Sequence, residues 1–342
     1  ASLWSGSLVD RREKRFLLAS SLSGLIVFSL GLAAVSCCRR PSVLALFSLI
    51  GVAALCESLE QPAASSYLQM IVPRELFPKA AAWNLTSYVG PTILGPVIAG
   101  ALIPRIGPGG VYLVAAFSLL VSLVLAATLR RIPPTATAGV STFRSAVEGL
   151  SFVRSRPIIF SAMVLDCVAV LFGEVVFILP VFAEKLGVGP LGLGFMRAAP
   201  AVGSCIVSIL QARSPRIRIR WDGLLRAVTI FGVCVLTFAV SPWFPLSLVM
   251  LLCGGAADGV SVIIRQSLYQ ANTPDAFRGR VSSVSGVFIS LSNEVGGFES
   301  GFAAQLVGAV PSVLFGGAVT LLTVAVMKWK YPRLDDEVSH AT

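Results

Sequence analysis

The sequence predicts an all-α protein that crosses a membrane many times, and its composition and the length of its apolar runs support this fold class. Hydrophobic residues make up 55% of the 342 residues, charged residues only 13%, and the mean hydropathy is +0.84. A soluble domain carries about 25% charged residues, so this chain lacks the polar surface that a water-soluble core requires. The apolar residues are concentrated in runs of about 20 or more, the length at which a helix crosses the hydrocarbon of a bilayer.

Ten such runs are predicted to form membrane helices. All are long enough to cross a bilayer, and the longer ones would have to tilt. They cover residues 16–36, 42–70, 80–104, 108–129, 157–182, 187–211, 223–242, 246–270, 281–307 and 309–327.

The net charge of +10 would suggest a nucleic-acid partner in a soluble protein. Here the basic residues lie mostly in the short gaps between apolar runs. Successive gaps lie on opposite faces of the membrane. Of the 27 basic residues, twenty fall in the gaps on the same face as Arg11, four fall in the gaps on the opposite face, with Arg39, and three lie within runs. Since cytoplasmic loops carry the excess of Lys and Arg, this asymmetry places the face of Arg11 in the cytoplasm and argues against nucleic-acid binding.

An internal repeat divides the chain. When the sequence is shifted by 201 residues, Glu57 aligns with Asp258, and Pro73 aligns with Pro274. Both copies run in the same orientation across the membrane, so the halves are parallel repeats. The repeat also predicts that two spans precede Ala1. The predicted organisation is an N-terminal half at 1–130 lacking its first two spans, a cytoplasmic linker at 131–156, a six-span half at 157–327 and a cytoplasmic tail at 328–342.

The composition argues against an enzyme. The only histidine, His340, lies in the polar tail, which excludes histidine-based zinc sites and Ser-His-Asp catalysis. The seven cysteines form no Cys-x-x-Cys pair and lie mostly in apolar runs, where they act as small packing residues. We therefore expect neither a metal nor a cofactor.

The ionisable residues inside the runs are the candidate functional groups. Asp166 lies about 14 Å into its span at 1.5 Å per residue, where an ionised side chain costs roughly 2.5–3.5 kcal/mol. We expect Asp166 to carry a proton or to bind substrate, with Arg197 reaching Asp166 or Glu174 and setting the pKa of Asp166. The alternative is a static ion pair that holds two helices together.

The other intramembrane charges are predicted to line a central cavity or to join helices by polar contacts. Arg265 lies seven residues beyond Asp258, so the two share one helix face. The further candidates are Glu57, Glu294 and Glu299.

The opening segment Gly6-Ser-Leu-Val-Asp10-Arg11-Arg-Glu-Lys-Arg15 resembles the signature loop of the major facilitator superfamily, with Glu13 in place of a glycine. The stretches 171–204, 254–284 and 293–301 are similar to its twelve-span drug–proton antiporters and siderophore exporters. The resemblance implies that Gly6, Asp10, Arg11 and Arg15 belong to a cytoplasmic gate. The alternative is that the basic residues only anchor the chain on the cytoplasmic side.

A second, looser resemblance concerns the third run. Gly90, Gly95, Pro96 and Gly100 are similar to the antiporter signature that ends in Gly-Pro-x-x-Gly-Gly, although Ala99 departs from it. These residues are expected to permit helix flexing, or alternatively close helix packing.

The resemblance implies a bacterial inner-membrane exporter that exchanges a small amphipathic molecule for protons, working as a monomer. An importer or lipid flippase of the same fold, an inactive truncated transporter and a membrane-embedded enzyme are the alternatives. Substrate-dependent proton flux would separate the transporters, and clustered catalytic residues would favour the enzyme.

Overall fold

The computed structural model describes residues 13–38, 42–73, 76–130, 142–214, 217 and 219–331. Within these residues the chain forms eleven helices and no strand. The helices are α1 (Lys14–Ser36), α2 (Val43–Ile71), α3 (Phe77–Thr128), α4 (Thr142–Ser155), α5 (Pro157–Gly173), α6 (Leu179–Lys185), α7 (Gly189–Arg213), α8 (Trp221–Val240), α9 (Phe244–Ala271), α10 (Asp275–Val307) and α11 (Ala309–Lys330).

Seven of the described helices are long and apolar enough to cross a membrane, or eight if the bent pair α4–α5 counts as one span. Each of the ten predicted runs nevertheless lies largely on helix. The counts differ because α3 contains two predicted runs, α5 is short, and α10 is rich in serine and glycine. Large apolar side chains stand exposed, with Leu44 at 77% and Trp329 at 84%, as expected of lipid-facing positions.

The long helix α3 is two helices joined at Gly107. This glycine has φ 71° and ψ 169°, a backbone conformation that residues with a Cβ rarely adopt. The break falls inside the predicted gap between the runs 80–104 and 108–129, so this boundary is confirmed.

The predicted single span 157–182 is wrong, because the helix stops at Gly173 and resumes only at Leu179. Glu174 already has an extended backbone, with φ −73° and ψ 113°. Pro180 explains the interruption, since its ring nitrogen donates no hydrogen bond and its ring clashes with the carbonyl four residues earlier. The span is therefore discontinuous.

Helix α4 was not predicted by the sequence, and it lies within the segment 131–156 that was expected to be a linker. It meets α5 at an angle of 106°. The turn follows from Pro157, because a residue that precedes proline is driven out of helical geometry. Arg156 accordingly has φ −114° and ψ 98°.

The chain divides into two compact units, the first comprising Ala1–Tyr88 and Ala101–Thr142 and the second Val89–Gly100 and Phe143–Thr342. In the first unit, α1 packs along α2. Arg15 donates through Nη1 to the carbonyl of Leu129 at 3.0 Å and through Nη2 to the carbonyl of Ala127. A cation is thereby placed at the carbonyl end of α3, where the helix dipole favours positive charge.

In the second unit, α9 packs between α7 and α8, while α5 packs against α10 and α11. The α7–α9 contact is made by small residues. A Cβ added at Gly255 would collide with the backbone of Pro200, and one at Gly203 would collide with the carbonyl oxygen of Leu252. Backbones that approach this closely tolerate only glycine, as at many membrane helix interfaces.

Two apolar clusters occupy different levels of the second unit. The first includes Ile159, Trp221 and Leu268, near the start of α5 and the end of α9. The second includes Leu179 and Phe238, near α6 and the end of α8. Along α5 and α9, Asp166 and Arg265 lie within the stretches that contribute to the first cluster.

Candidate functional site

A cavity of about 380 Å³ lies within the second unit, between its two apolar clusters. Its wall is mainly apolar, contributed by α5, α7, α8, α9 and α10. The charged and amide side chains in this wall are Asp166, Glu174, Asp258, Arg265, Gln266 and Asn293. A mostly apolar cavity with a few convergent polar groups is the usual form of a small-molecule site.

Asp166 and Arg265 form a buried ion pair in the cavity wall. Nη1 of Arg265 donates to Oδ1 of Asp166. The residues are only 7% and 4% exposed. Nε of Arg265 is also buried and has no hydrogen-bond partner among the described residues. The pair joins α5 to α9 at the level of the cavity.

The expectation that Arg197 is the partner of Asp166 is wrong. Arg197 is exposed on α7 and does not line the cavity. Arg265 of α9, which the sequence did not suggest as a partner of Asp166, lies on a helix face that turns toward α5. The sequence did predict that face, because the seven-residue spacing places Arg265 and Asp258 together, and both line the cavity.

Glu174 lies where the first span of this unit is interrupted. Its Oε1 accepts a hydrogen bond from the backbone N–H of Val176 at 3.2 Å, and its carbonyl accepts one from the hydroxyl of Ser300 at 3.3 Å. These bonds satisfy backbone groups that the broken helix leaves free. A carboxyl group therefore reaches the cavity from non-helical backbone, which membrane proteins tolerate where the backbone is enclosed by protein or lines a cavity.

Asp258 lies fourteen residues after the first residue of the 28-residue helix α9, and Glu57 holds the same place in α2. Asp258 lines the cavity and has no ion-pair partner among the described residues. The wall thus contains three carboxyl groups and one guanidinium. This excess of carboxyl groups can accept protons or bind a positively charged group.

Three other predicted candidates lie elsewhere. Glu294 is exposed and Glu299 is half-buried, and neither lines the cavity, whereas Asn293 does. Neighbouring residues on a helix project about 100° apart, so the asparagine and not the acid faces inward. Glu57 is exposed in the first unit.

Most of the signature loop, including Gly6, Asp10 and Arg11, lies outside the described residues. Arg15, the described member, binds the end of α3 as given above. A gating role for these residues remains a prediction.

The residues proposed for helix flexing lie on a continuous stretch of α3. A Cβ at Gly100 would collide with the carbonyl of Pro190, and the carbonyl of Pro96 faces Gly194, so both positions pack against α7. Nothing lies within 4 Å of a Cβ placed at Gly90 or Gly95. Close packing therefore accounts for half of this group, and flexing stays a prediction for the rest.

The sequence analysis missed Gln266 and Asn293. Each is an amide within an apolar run, and amides in a span are candidates for polar contacts. The sequence alone could therefore have identified both residues as candidates. Within the described part of the chain, no three His, Cys, Asp or Glu side chains are grouped as metal ligands would be.

Comparison with known proteins identifies the family and the fold. The sequence profile of the Major Facilitator Superfamily matches residues 1–297. The chain is 25% identical over 284 residues to the enterobactin exporter EntS of Escherichia coli O1:K1 / APEC, covering 82% of this chain and 67% of that protein. It is 26% identical over 286 residues to EntS of Shigella boydii serotype 18, with the same coverage.

Solved structures give the same picture of the fold. A D-xylose-proton symporter superposes with a TM-score of 0.71 at 15% identity, covering 96% of this chain and 84% of that chain. A bacterial homologue of the human lysosomal transporter Spinster, inward-facing and unoccupied, also gives 0.71, at 14% identity and covering 95% and 82%. At such identities the likeness concerns the fold alone, and it confirms the predicted membrane helical bundle.

Proposed function

Since the chain belongs to the Major Facilitator Superfamily, we propose that it is a secondary active transporter that exports a small amphipathic molecule in exchange for protons. Family membership makes it a multi-pass membrane transporter of small molecules rather than an enzyme. The direction of transport, the coupling to protons and the substrate are our proposal. We also propose that the protein lies in the inner membrane as a monomer, with its C-terminus in the cytoplasm.

The Asp166–Arg265 pair in the cavity wall is the observation that carries this proposal. A proton on Asp166 would remove its charge and weaken the link between α5 and α9. The guanidinium would then be left buried with one fewer partner, which is costly. A change of one proton would thus alter the relative energies of two arrangements of these helices, the requirement for coupling protonation to alternating access.

The composition of the cavity supports an amphipathic substrate. Phe231, Phe238 and several aliphatic side chains provide apolar contact area, and Asp258 and Glu174 provide carboxyl groups without a matched guanidinium. We propose that the preferred substrates carry a positive charge beside an apolar body. The aromatic faces would add to binding of such a cation. The relatives named above export enterobactin, and export is the mode we carry over to this chain.

Substrate-dependent proton flux in vesicles of known orientation tests the proposal. Purified protein is reconstituted with a pH-sensitive dye inside, and a lipophilic cation such as tetraphenylphosphonium is added under an imposed pH gradient. We expect the cation to move against its own gradient while protons move in the opposite direction. Asp166→Asn should abolish the proton flux while the protein remains folded.

Two results would overturn the proposal. Normal proton-coupled transport by Asp166→Asn would exclude this carboxyl as the proton carrier. Substrate movement in the same direction as protons would make the protein an importer. The matched control is Glu294→Gln, which removes an exposed acid outside the cavity wall and should leave transport unchanged.

A further inference from the structure

A second concave site lies on the surface of the second unit, between the start of α8 and the later half of α9. We call it the arginine groove; its volume is about 430 Å³. Its polar side chains are Arg220, Asp222 and Arg226. The remaining wall consists of Ile217, Gly223, Ala227, Ile230, Ala257, Val260 and Ile264. None of these residues lines the cavity described above.

Arg226 holds an unusual position for a charged residue. It lies five residues beyond Trp221, the first residue of α8, or about 7.5 Å inside the span at 1.5 Å per residue. Its side chain is exposed, and it forms no ion pair or hydrogen bond with any other described residue. A charge inside a span is expensive unless it faces a partner, water or a cavity. Among the described residues no partner for Arg226 is present, so its guanidinium is available to a ligand bound in the groove.

The groove brings further positive potential to the same place. Arg220 is the residue before α8, and it is exposed beside Arg226 in the groove wall. The free N–H groups at the start of α8 add the partial positive charge of a helix N-terminus. Asp222 also lines the groove and interacts with another group of the chain. With two guanidinium groups and one carboxylate, the lining retains a net positive charge.

The deeper part of the groove is apolar. Ile264 is 1% exposed and Ala257 is 5% exposed, so they form its floor. Ile230, 53% exposed, forms an outer wall directed at the lipid side of α8. The groove thus has a cationic end near the start of a span and an apolar end further along it. This arrangement matches the two parts of a phospholipid, an anionic headgroup and an acyl chain.

We propose that the arginine groove binds one anionic phospholipid, with the phosphate between Arg220 and Arg226 and an acyl chain along Ile230. Guanidinium groups bind phosphate oxygens through paired, charge-assisted hydrogen bonds, which would satisfy Arg226 inside the span. Binding would link the start of α8 to the later half of α9. The site is separate from the transport cavity, so it does not depend on the transport mechanism proposed above.

Native mass spectrometry of the detergent-purified protein tests this site. Phosphatidylglycerol and phosphatidylcholine with identical acyl chains are titrated into wild type, Arg226→Gln and Arg220→Gln. Wild type should retain one phosphatidylglycerol in preference to phosphatidylcholine. Each substitution should weaken that retention about fivefold, the factor expected for one basic residue near an anionic lipid surface. Arg213→Gln, an exposed arginine at the end of α7 outside the groove, is the control and should retain the lipid as wild type does.

Competition with inorganic phosphate distinguishes a lipid headgroup from a free anion as the bound phosphate. Inorganic phosphate at millimolar concentration should not displace the lipid, since it cannot occupy the apolar end of the groove; displacement would make the site a general anion site and overturn the proposal. Equal retention by wild type and both groove variants, or equal retention of the two lipids by wild type, would also overturn it. If Arg226→Gln fails to elute as a monodisperse species, the lipid preference of wild type and the Arg220→Gln comparison still decide the question.

Discussion

Arg265 of α9 pairs with Asp166 of α5 across 99 positions of sequence, beside the first apolar cluster of the second unit. Neither residue has another described charge of opposite sign bonded to it. The pair is therefore a buried ionic link between these two helices in the cavity wall. Its removal should affect stability and transport in distinguishable ways.

Replacement of Arg265 by glutamine should destabilise the protein. Removing one partner of a buried ion pair leaves the other charge uncompensated and typically costs about 3–5 kcal/mol. We expect a lower midpoint of thermal unfolding in detergent for Arg265→Gln than for wild type, measured by the fluorescence of a thiol-reactive dye.

The double variant Asp166→Asn with Arg265→Gln provides the control for that experiment. It replaces both charges by groups that can hydrogen-bond to each other, so most of the lost stability should return while proton-coupled transport stays absent. A double variant as unstable as Arg265→Gln alone would show that the two side chains do not act as a pair.

Asp258→Asn should weaken the binding of cations more than that of neutral molecules of the same shape. Asp258 lines the cavity without an ion-pair partner among the described residues, so its charge is available to a ligand. One charge pair at a partly exposed site contributes about 1 kcal/mol, or about fivefold in affinity. Isothermal titration with tetraphenylphosphonium and an uncharged tetraphenyl analogue would measure the difference.

Glu294→Gln is the matched control for this selectivity, because it removes a carboxylate from α10 that does not line the cavity. It should leave the ratio of the two affinities unchanged. The same loss of cation affinity in both variants would indicate a general effect of net charge, and would remove the specific role of Asp258.

The sequence predicted the helical class and most spans because both depend on local composition. Apolar runs of sufficient length specify membrane helices wherever they lie, and the break at Gly107 fell in the predicted gap. The shared face of Asp258 and Arg265 was also predictable, since helix periodicity alone determines it.

The partner of Asp166 was not predictable in the same way. The sequence suggested Arg197, in the span that follows Asp166, and not Arg265 of α9. The choice between them depends on how α7 and α9 are rotated about their axes. Tight glycine contacts fix that rotation, with Gly255 against Pro200 and Gly203 against Leu252. Such contacts join residues distant in sequence, and no local pattern in a single sequence specifies them.

Gly255→Ala should test whether these glycine contacts hold α7 against α9. A Cβ at this position would overlap backbone atoms of Pro200, which cannot move aside as a flexible side chain would. Overpacking of this kind costs about 1–3 kcal/mol, so the thermal midpoint should fall. Gly286→Ala is the control, since nothing lies within 4 Å of a Cβ there, and alanine in a helix should stabilise slightly. Equal midpoints for the two variants would show that α7 and α9 can separate without loss.

Helix α4, which the sequence did not predict, is attached to α10 by aromatic and charged contacts. Phe152 stacks on Phe277 of α10 with ring centroids 4.7 Å apart, and the guanidinium of Arg280 lies 4.9 Å from the Phe277 ring. Glu148 on the same face of α4 lies 3.5 Å from Arg280. Aromatic pairs contribute about 0.5–1.5 kcal/mol beyond the area they bury, so Phe152→Ala should loosen α4 and speed the exchange of its amide hydrogens.

Hydrogen exchange read by mass spectrometry over residues 142–155 would measure this effect. Leu150→Ala removes an apolar side chain of α4 that is 43% exposed and should leave exchange near the wild-type rate. Phe152→Ala and Phe277→Ala should be non-additive, because each removes the same ring contact and the double variant can lose it only once. Strictly additive effects would mean that the rings do not interact. Helix α4 would then be held by Val153, which is fully buried, and by the packing of Gly149 against Arg280, where an added Cβ would lie only 3.0 Å from the Arg280 carbonyl oxygen.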